Sequence, residues 1–177
     1  MASPIEPPTG HWWNHPVADT EKTWLWICLL TALILFGWMV GWSHLGEQNP
    51  TGHTYRVSAE AYRQKVSSFT DQAVNTEQGL RPAGTDVYVA AYQWGWDGLP
   101  VVLEAGKEYQ VHLGSYDVQH GFSVRDQEDL IRQFNLQILP GYEWVIPMTF
   151  DEPGTYHVVC NEFCGFGHTT MHGKFEV

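Results

Sequence analysis

From residue 23 to residue 45 the chain carries no charged side chain, and Trp24-Leu-Trp-Ile-Cys-Leu-Leu-Thr-Ala-Leu-Ile-Leu-Phe-Gly-Trp-Met-Val-Gly-Trp42 is apolar apart from Thr31. A hydrocarbon core takes roughly 20 helical residues to cross, so this run predicts a transmembrane helix over 23–46. Trp24 and Trp26 at one end and Trp38 and Trp42 at the other match interfacial aromatic belts. A cleavable signal peptide would need a basic leader, a shorter apolar run and a small-x-small cleavage site. Here Glu6, Asp19 and Glu21 stand against Lys22, and no such site follows, so the expectation is a retained anchor. Residues 1–22, rich in Pro, His and Trp, are expected to lie irregularly on the membrane surface.

Beyond the span the period changes twice. Tyr62, Val66, Phe69 and Ala73 recur at i, i+4, i+7 and i+11 behind Ser58, predicting an N-capped amphipathic helix over 58–73. That helix has three possible seats: the following domain, a partner subunit or the membrane interface. Residues 47–84 read as a linker carrying it, with Pro82 inside the closing 79–84 stretch. From 85 onward the pattern is one of strands, at 85–94, 99–104, 107–113, 118–124, 132–138, 142–150, 155–160 and 172–177. Gly98, Ala105-Gly106, Pro140-Gly141 and Glu152-Pro153-Gly154 break them. Short strands at regular spacing predict a β-sandwich over 85–177.

Composition narrows the partners. Twenty acidic against nine basic residues give a formal charge of -11, and only Glu6, Asp19, Glu21 and Lys22 of these precede the end of the span. So acidic a domain is a poor match for nucleic acid, whereas it would steer a basic protein partner in a salt-dependent way. Basic residues do not orient the span: Lys22 lies nearest on one side, and Arg56, Arg63 and Lys65 lie farther off on the other.

The densest chemistry is Cys160-Asn-Glu-Phe-Cys164-Gly-Phe-Gly-His168-Thr-Thr-Met171, two thiols, an imidazole and a thioether within twelve residues. Soft sulfur donors with an imidazole select copper or zinc, and a thioether is a usual weak ligand of copper in electron-transfer sites. A further imidazole is available from His120, in Asp117-Val-Gln-His120-Gly-Phe-Ser-Val, at the start of an expected strand. One His from a strand, with Cys, His and Met from a later loop, is the layout of a cupredoxin copper site. A mononuclear blue-copper centre uses two His, one Cys and a weak Met, so the second Cys is one thiolate too many and suggests two metals. Two alternatives stay open. A Cys2His2 zinc site could take His120, Cys160, Cys164 and His168 while leaving Met171 unused. A Cys160–Cys164 disulfide would close a very small loop. Cys28 falls inside the span, and no C-x-x-C-H motif for attached haem is present. His112, His157 and His172 are expected to pack or titrate on strands, and His11, His15, His44 and His53 flank the span.

These residues resemble the binuclear CuA centre of subunit II of the haem-copper oxidases, whose pattern reads C-x-E-x-C-G-x-x-H-x-x-M after an upstream D-V-x-H. Cys160, Glu162, Cys164, Gly165, His168 and Met171 fit it, as do Asp117, Val118 and His120. The resemblance implies an all-β, cupredoxin-like Greek-key β-sandwich behind one N-terminal transmembrane helix. It implies two copper ions bridged by Cys160 and Cys164, with His120 and His168 as terminal ligands and Met171 and the Glu162 carbonyl as weak ones. The Glu162 side chain would face subunit I and help hold Mg2+ or Mn2+ there. Trp94, in Gln93-Trp-Gly-Trp96, aligns with the family's point of electron uptake, although Gly95 stands where the larger family has an aromatic residue.

Also implied are a soluble donor such as cytochrome c, a haem-bearing subunit I that reduces oxygen, and a C-terminal domain on the periplasmic or outer face of the cell membrane. The single span and short chain look most like the B-type, ba-class oxidases. Phe122, Phe163 and Phe166 are placed to supply an apolar shell. The CuA subunit of a nitric oxide reductase, or a free-standing membrane-tethered cupredoxin, would use the same ligands.

Overall fold

The structure, a computed structural model, describes residues 10–11, 16–45, 52–127 and 133–177. Most of the surface segment expected at 1–22, together with His15, residue 46 of the expected span and residue 132 of an expected strand, lies outside the described residues. The chain divides into two units, Met1–Gln48 and Asn49–Val177.

The first unit is built on helix α1, Asp19–Leu45. Its 27 residues extend about 40 Å at 1.5 Å per residue, enough to cross a membrane. Asp19 and Glu21 lie in the first turn, where the helix dipole favours negative charge, and His44 in the last. Within this unit none of the helix is buried, and Trp38 and Trp42 stack at 6.2 Å.

The second unit is a two-sheet sandwich. Its strands are β1 His53–Arg56, β2 Val74–Asn75, β3 Leu80–Arg81, β4 Asp86–Tyr92, β5 Gly95–Asp97, β6 Val101–Val102, β7 Glu108–Ser115, β8 His120–Asp126, β9 Gln133–Ile138, β10 Tyr142–Thr149, β11 Thr155–Cys160 and β12 His172–Glu176. One sheet runs β1-β10-β7-β4-β5 and the other β2-β3-β6-β12-β11-β8-β9. Alternation sends Val87, Val89, Val111, Leu113 and Ile146 inward from the first sheet, to meet Phe122, Val124, Val158 and Phe175 from the second.

Two regions depart from the sequence-based reading. The stretch expected as a linker contributes β1, which pairs with β10, and β2 and β3, which extend the larger sheet beside β6. These strands are too short to show alternation, so only their pairing identifies them. The strand expected at 85–94 instead ends at Tyr92, and the chain turns back at Gln93 and Trp94 so that Tyr92 pairs with Gly95 and Ala91 with Trp96. Neither residue is a usual hairpin-turn type, so local sequence carried no sign of the reversal.

Helix α2, Ala59–Gln72, is capped by the Ser58 hydroxyl, which accepts from the Ala61 N–H at 3.2 Å. Of its three possible seats it takes the domain itself, covering the outer face of β4 and β7. Tyr62, Val66 and Phe69 are buried there, and the Tyr62 hydroxyl donates to the Val89 carbonyl at 3.0 Å. Gly114 on β7 is required beneath it, because a Cβ there would stand 2.5 Å from the Tyr62 ring. Beside this contact Glu143 is fully buried and accepts from Lys65 at 2.5 Å and from His112 Nδ1 at 2.7 Å. His112, expected to pack or titrate on a strand, stacks its ring on Tyr88 at 4.0 Å, and its Nε2 meets Asp86 at 2.9 Å.

Candidate metal centre

Strand period explains how the donors meet. On β8, His120, Phe122 and Val124 share the inward face, which buries the imidazole completely. On β11, Val158 and Cys160 point inward likewise, and Cys160 lies directly across from Phe122. Between β11 and β12 the chain forms a loop closed by a 3-10 turn at His168–Thr170, with the Cys160 N–H donating to the Met171 carbonyl at 3.3 Å. Both ends of the loop therefore sit on adjacent antiparallel strands of a rigid sheet.

The donors converge in two halves. Cys160 Sγ is 3.9 Å from His120 Nδ1 and 3.1 Å from the Glu162 carbonyl oxygen. Cys164 Sγ is 3.7 Å from His168 Nδ1 and 3.3 Å from Met171 Sδ. The two sulfurs lie 3.8 Å apart and both thiols are free. Cys160, Cys164, His120 and Met171 are all buried, while His168 and Glu162 are partly exposed. His120, Cys160 and Cys164 form one cluster with ligand atoms within 4.8 Å of one another, and His168 stands outside it. Ligand atoms around a single tetrahedral ion would all lie roughly 3.3–3.8 Å apart.

His120 offers Nδ1 to the centre because its Nε2 is taken by Asp117 Oδ1 at 2.9 Å. A carboxylate behind a ligand imidazole fixes its orientation and raises its basicity. Burial alone would lower the His120 pKa, but Cys160 and Asp117 outweigh it and raise it. Burial likewise opposes ionisation of Cys160, yet His120, the Gly121 and Glu162 backbone and His168 bring that thiol down to about 6. Cys164, buried and facing the Cys160 charge, is pushed up to about 11. In the metal-free chain the thiolate absorbance is therefore expected to rise in separate steps. Cys160 should be deprotonated above about pH 6 and reprotonate below it, and Cys164 should ionise only near 11. Ultraviolet titration of a Cys28→Ser chain checks this, and a single step near the ordinary thiol range would contradict it.

Trp94 stands at the β4–β5 hairpin tip with 44% of its surface exposed, against the loop that carries Cys164 and His168. Phe122 is fully buried and meets Trp96 edge to face at 5.7 Å. The other two expected members of an apolar shell are not there: Phe163 is 79% exposed and Phe166 fully so. The loop turns the Cys164 sulfur inward, which aims its neighbours outward. Phe163 covers only the outer side of His168, with ring centroids 6.0 Å apart. The Glu162 carboxylate accepts from Gln137 at 3.0 Å, at the β9 edge. The residue the sequence reading passed over is Gln93, whose side-chain amide donates to the Cys164 carbonyl at 2.6 Å.

A two-sheet sandwich whose last inter-strand loop brings Cys, His and Met against an upstream strand His is a cupredoxin-type metal protein, here behind an apolar helix. No protein-family model matches the chain. It is 32% identical over 160 residues to a cytochrome c oxidase subunit 2 of Thermus thermophilus, covering 89% of this chain and 90% of that protein. The chain belongs to the cytochrome c oxidase subunit 2 family, and so to the subunits of an oxidoreductase complex. A second Thermus thermophilus cytochrome c oxidase subunit 2 is 33% identical over 135 residues, 76% of this chain and 95% of the relative. Among solved structures, a heme-copper terminal oxidase dimer contains a chain that matches with a TM-score of 0.55 and 29% identity, over 90% of this chain and 99% of that one. Rusticyanin shares the fold, with a TM-score of 0.53 at 18% identity over 73% of this chain and 99% of its own.

Proposed function

We propose that this chain is the electron-uptake subunit of a terminal respiratory oxidase of the B-type, ba-class kind. It accepts electrons at a binuclear copper centre from a soluble donor of the cytochrome c kind and hands them to haem in subunit I. The observation that carries this reading is the division of the donors into two halves. Cys160 has His120 Nδ1 at 3.9 Å and Cys164 has His168 Nδ1 at 3.7 Å, and His168 is not part of the cluster that His120, Cys160 and Cys164 form within 4.8 Å. On this reading Cys160, Cys164, His120 and His168 would hold the two coppers, with Met171 and the Glu162 carbonyl as weaker donors. When bound, the pair of coppers supplies a one-electron relay whose charge change is shared between two ions.

The protein's own part is to keep the ligands still. Buried strands hold His120 and Cys160, Asp117 fixes the imidazole, and the sheet clamps both ends of the loop. Trp94, exposed beside the loop, is the residue through which electrons arrive. The chain's charge of -11 favours a basic donor. The Glu162 side chain holds Mg2+ or Mn2+ against subunit I, and the domain faces the periplasmic or outer side of the membrane from which α1 anchors it.

Purified protein is expected to carry two coppers per chain. Its oxidised EPR spectrum should show one unpaired electron split by both copper nuclei. Stoichiometric zinc, or an electron confined to one copper, would overturn the reading. Copurification of a haem protein in mild detergent tests the partner, and a chain that emerges alone would favour a free-standing carrier.

A further inference from the structure

We propose that Gln93 is a positioning residue for the metal loop, clasping it at Cys164 while holding in place the carboxylate that orients His120. The residue sits at the exposed tip of the β4–β5 hairpin, where no packing demand explains it. Its side-chain Nε2 donates to the Cys164 carbonyl at 2.6 Å, and its backbone N–H donates to Asp117 Oδ2 at 2.7 Å. The other oxygen of Asp117 meets His120 Nε2 at 2.9 Å. One residue thus ties together the two segments that bring the ligands, the β7–β8 connection and the β11–β12 loop.

The neighbouring Trp94 closes the clasp from the same tip. Its indole lies flat against Gly167, where a Cβ would stand 2.5 Å from the ring. The loop between Cys164 and His168 is therefore gripped at a carbonyl by an amide and at a glycine by an aromatic face.

The chemistry requires an amide of this length. The Cys164 carbonyl needs a donor, which a glutamate at 93 lacks, and the added negative charge would oppose both that carbonyl and Asp117. A methionine would fill the same space with no donor. Hydrogen bonds to groups that carry metal ligands typically change metal affinity by about 10–100-fold when removed, because they set ligand orientation. In this protein the clasp is made entirely by the chain's own residues.

The test uses the full-length chain with Gln93→Met and Gln93→Glu. In the metal-free form, amide hydrogen exchange at His168 and Thr170, whose N–H groups donate to the Gly165 and Gly167 carbonyls of the clasped loop, is expected to quicken about tenfold, the scale of one lost hydrogen bond. In the copper-loaded form, which rests on the two-copper reading above, copper content should stay at the wild-type value. The copper hyperfine splitting and reduction potential should shift, more in Gln93→Glu than in Gln93→Met. Gly167→Ala, which displaces Trp94 from the other side, should quicken exchange in the same residues. Exchange within twofold of wild type in both Gln93 variants would overturn the proposal. So would unchanged spectra and potentials in both, since support for the fold alone would not move a potential. Zinc or a single copper in the wild-type chain would defeat the two-copper reading while leaving the exchange experiment to decide the clasp.

Discussion

Replacing Cys164 by serine is expected to empty the centre of its paired character and abolish electron uptake through it, while the sandwich stays folded. The sulfur of Cys164 stands 3.8 Å from that of Cys160, 3.7 Å from His168 Nδ1 and 3.3 Å from Met171 Sδ, so it is the common neighbour of three other donors. A hydroxyl in its place is a hard donor and remains protonated at working pH, leaving one thiolate for the two ions of the proposed centre. The loss should exceed the roughly 10–100-fold that even outer hydrogen-bonding partners of a metal site command. Metal analysis and EPR check it. A Cys164→Ser chain that still bound two coppers with a shared electron would show that the bridge is misassigned. Cys164 lies in the loop rather than on a strand, so the substitution leaves the β11–β12 pairing untouched.

The second large effect is one of stability. Tyr62→Ala should lower the stability of the β unit by about 3–5 kcal/mol, the usual cost of truncating a large buried aromatic. For a unit of this size that amounts to a melting point lower by about 10–20 °C. Tyr62 is 1% exposed and faces Tyr88 and Tyr116 at ring distances near 6.5 Å; Gly114 makes room for it, and its hydroxyl donates to Val89. Burial, then the nearby Glu143 carboxylate, keeps that phenol protonated and able to donate. Tyr62→Phe, which removes only the hydrogen bond, should cost about 1 kcal/mol. Thermal unfolding of both variants measures this directly. A Tyr62→Ala midpoint within about 3 °C of wild type would mean that α2 adds little to the fold.

Much of the molecule was legible in residue order, and the reasons are local. An apolar run of membrane length marks, from residue order alone, a helix long and apolar enough to cross a membrane. The 3.6 period of Tyr62, Val66 and Phe69 and the capping Ser58 declare α2. Turn residues separate most of the strands. The donor set, too, is a matter of spacing, since Cys160, Cys164, His168 and Met171 lie on one loop and the chemistry of soft ligands follows from side-chain type. What could not be read depends on pairing between distant segments. β1, β2 and β3 are two to four residues long and exist as strands because a neighbour supplies their hydrogen bonds.

Side-chain direction within the metal loop belongs to the same class. Phe163 and Phe166 look like shell residues by proximity, and both face outward because the backbone must turn Cys164 inward. Gln93 carries no motif of its own, and its reach to a carbonyl 71 residues later exists only once the hairpin tip and the loop share one end of the sandwich. Composition, period and ligand spacing thus establish that the chain is an anchored β-domain with a soft-metal site. The folded arrangement establishes that the donors fall into two halves and which residues hold them still, because those relations are distances between segments that residue order leaves free.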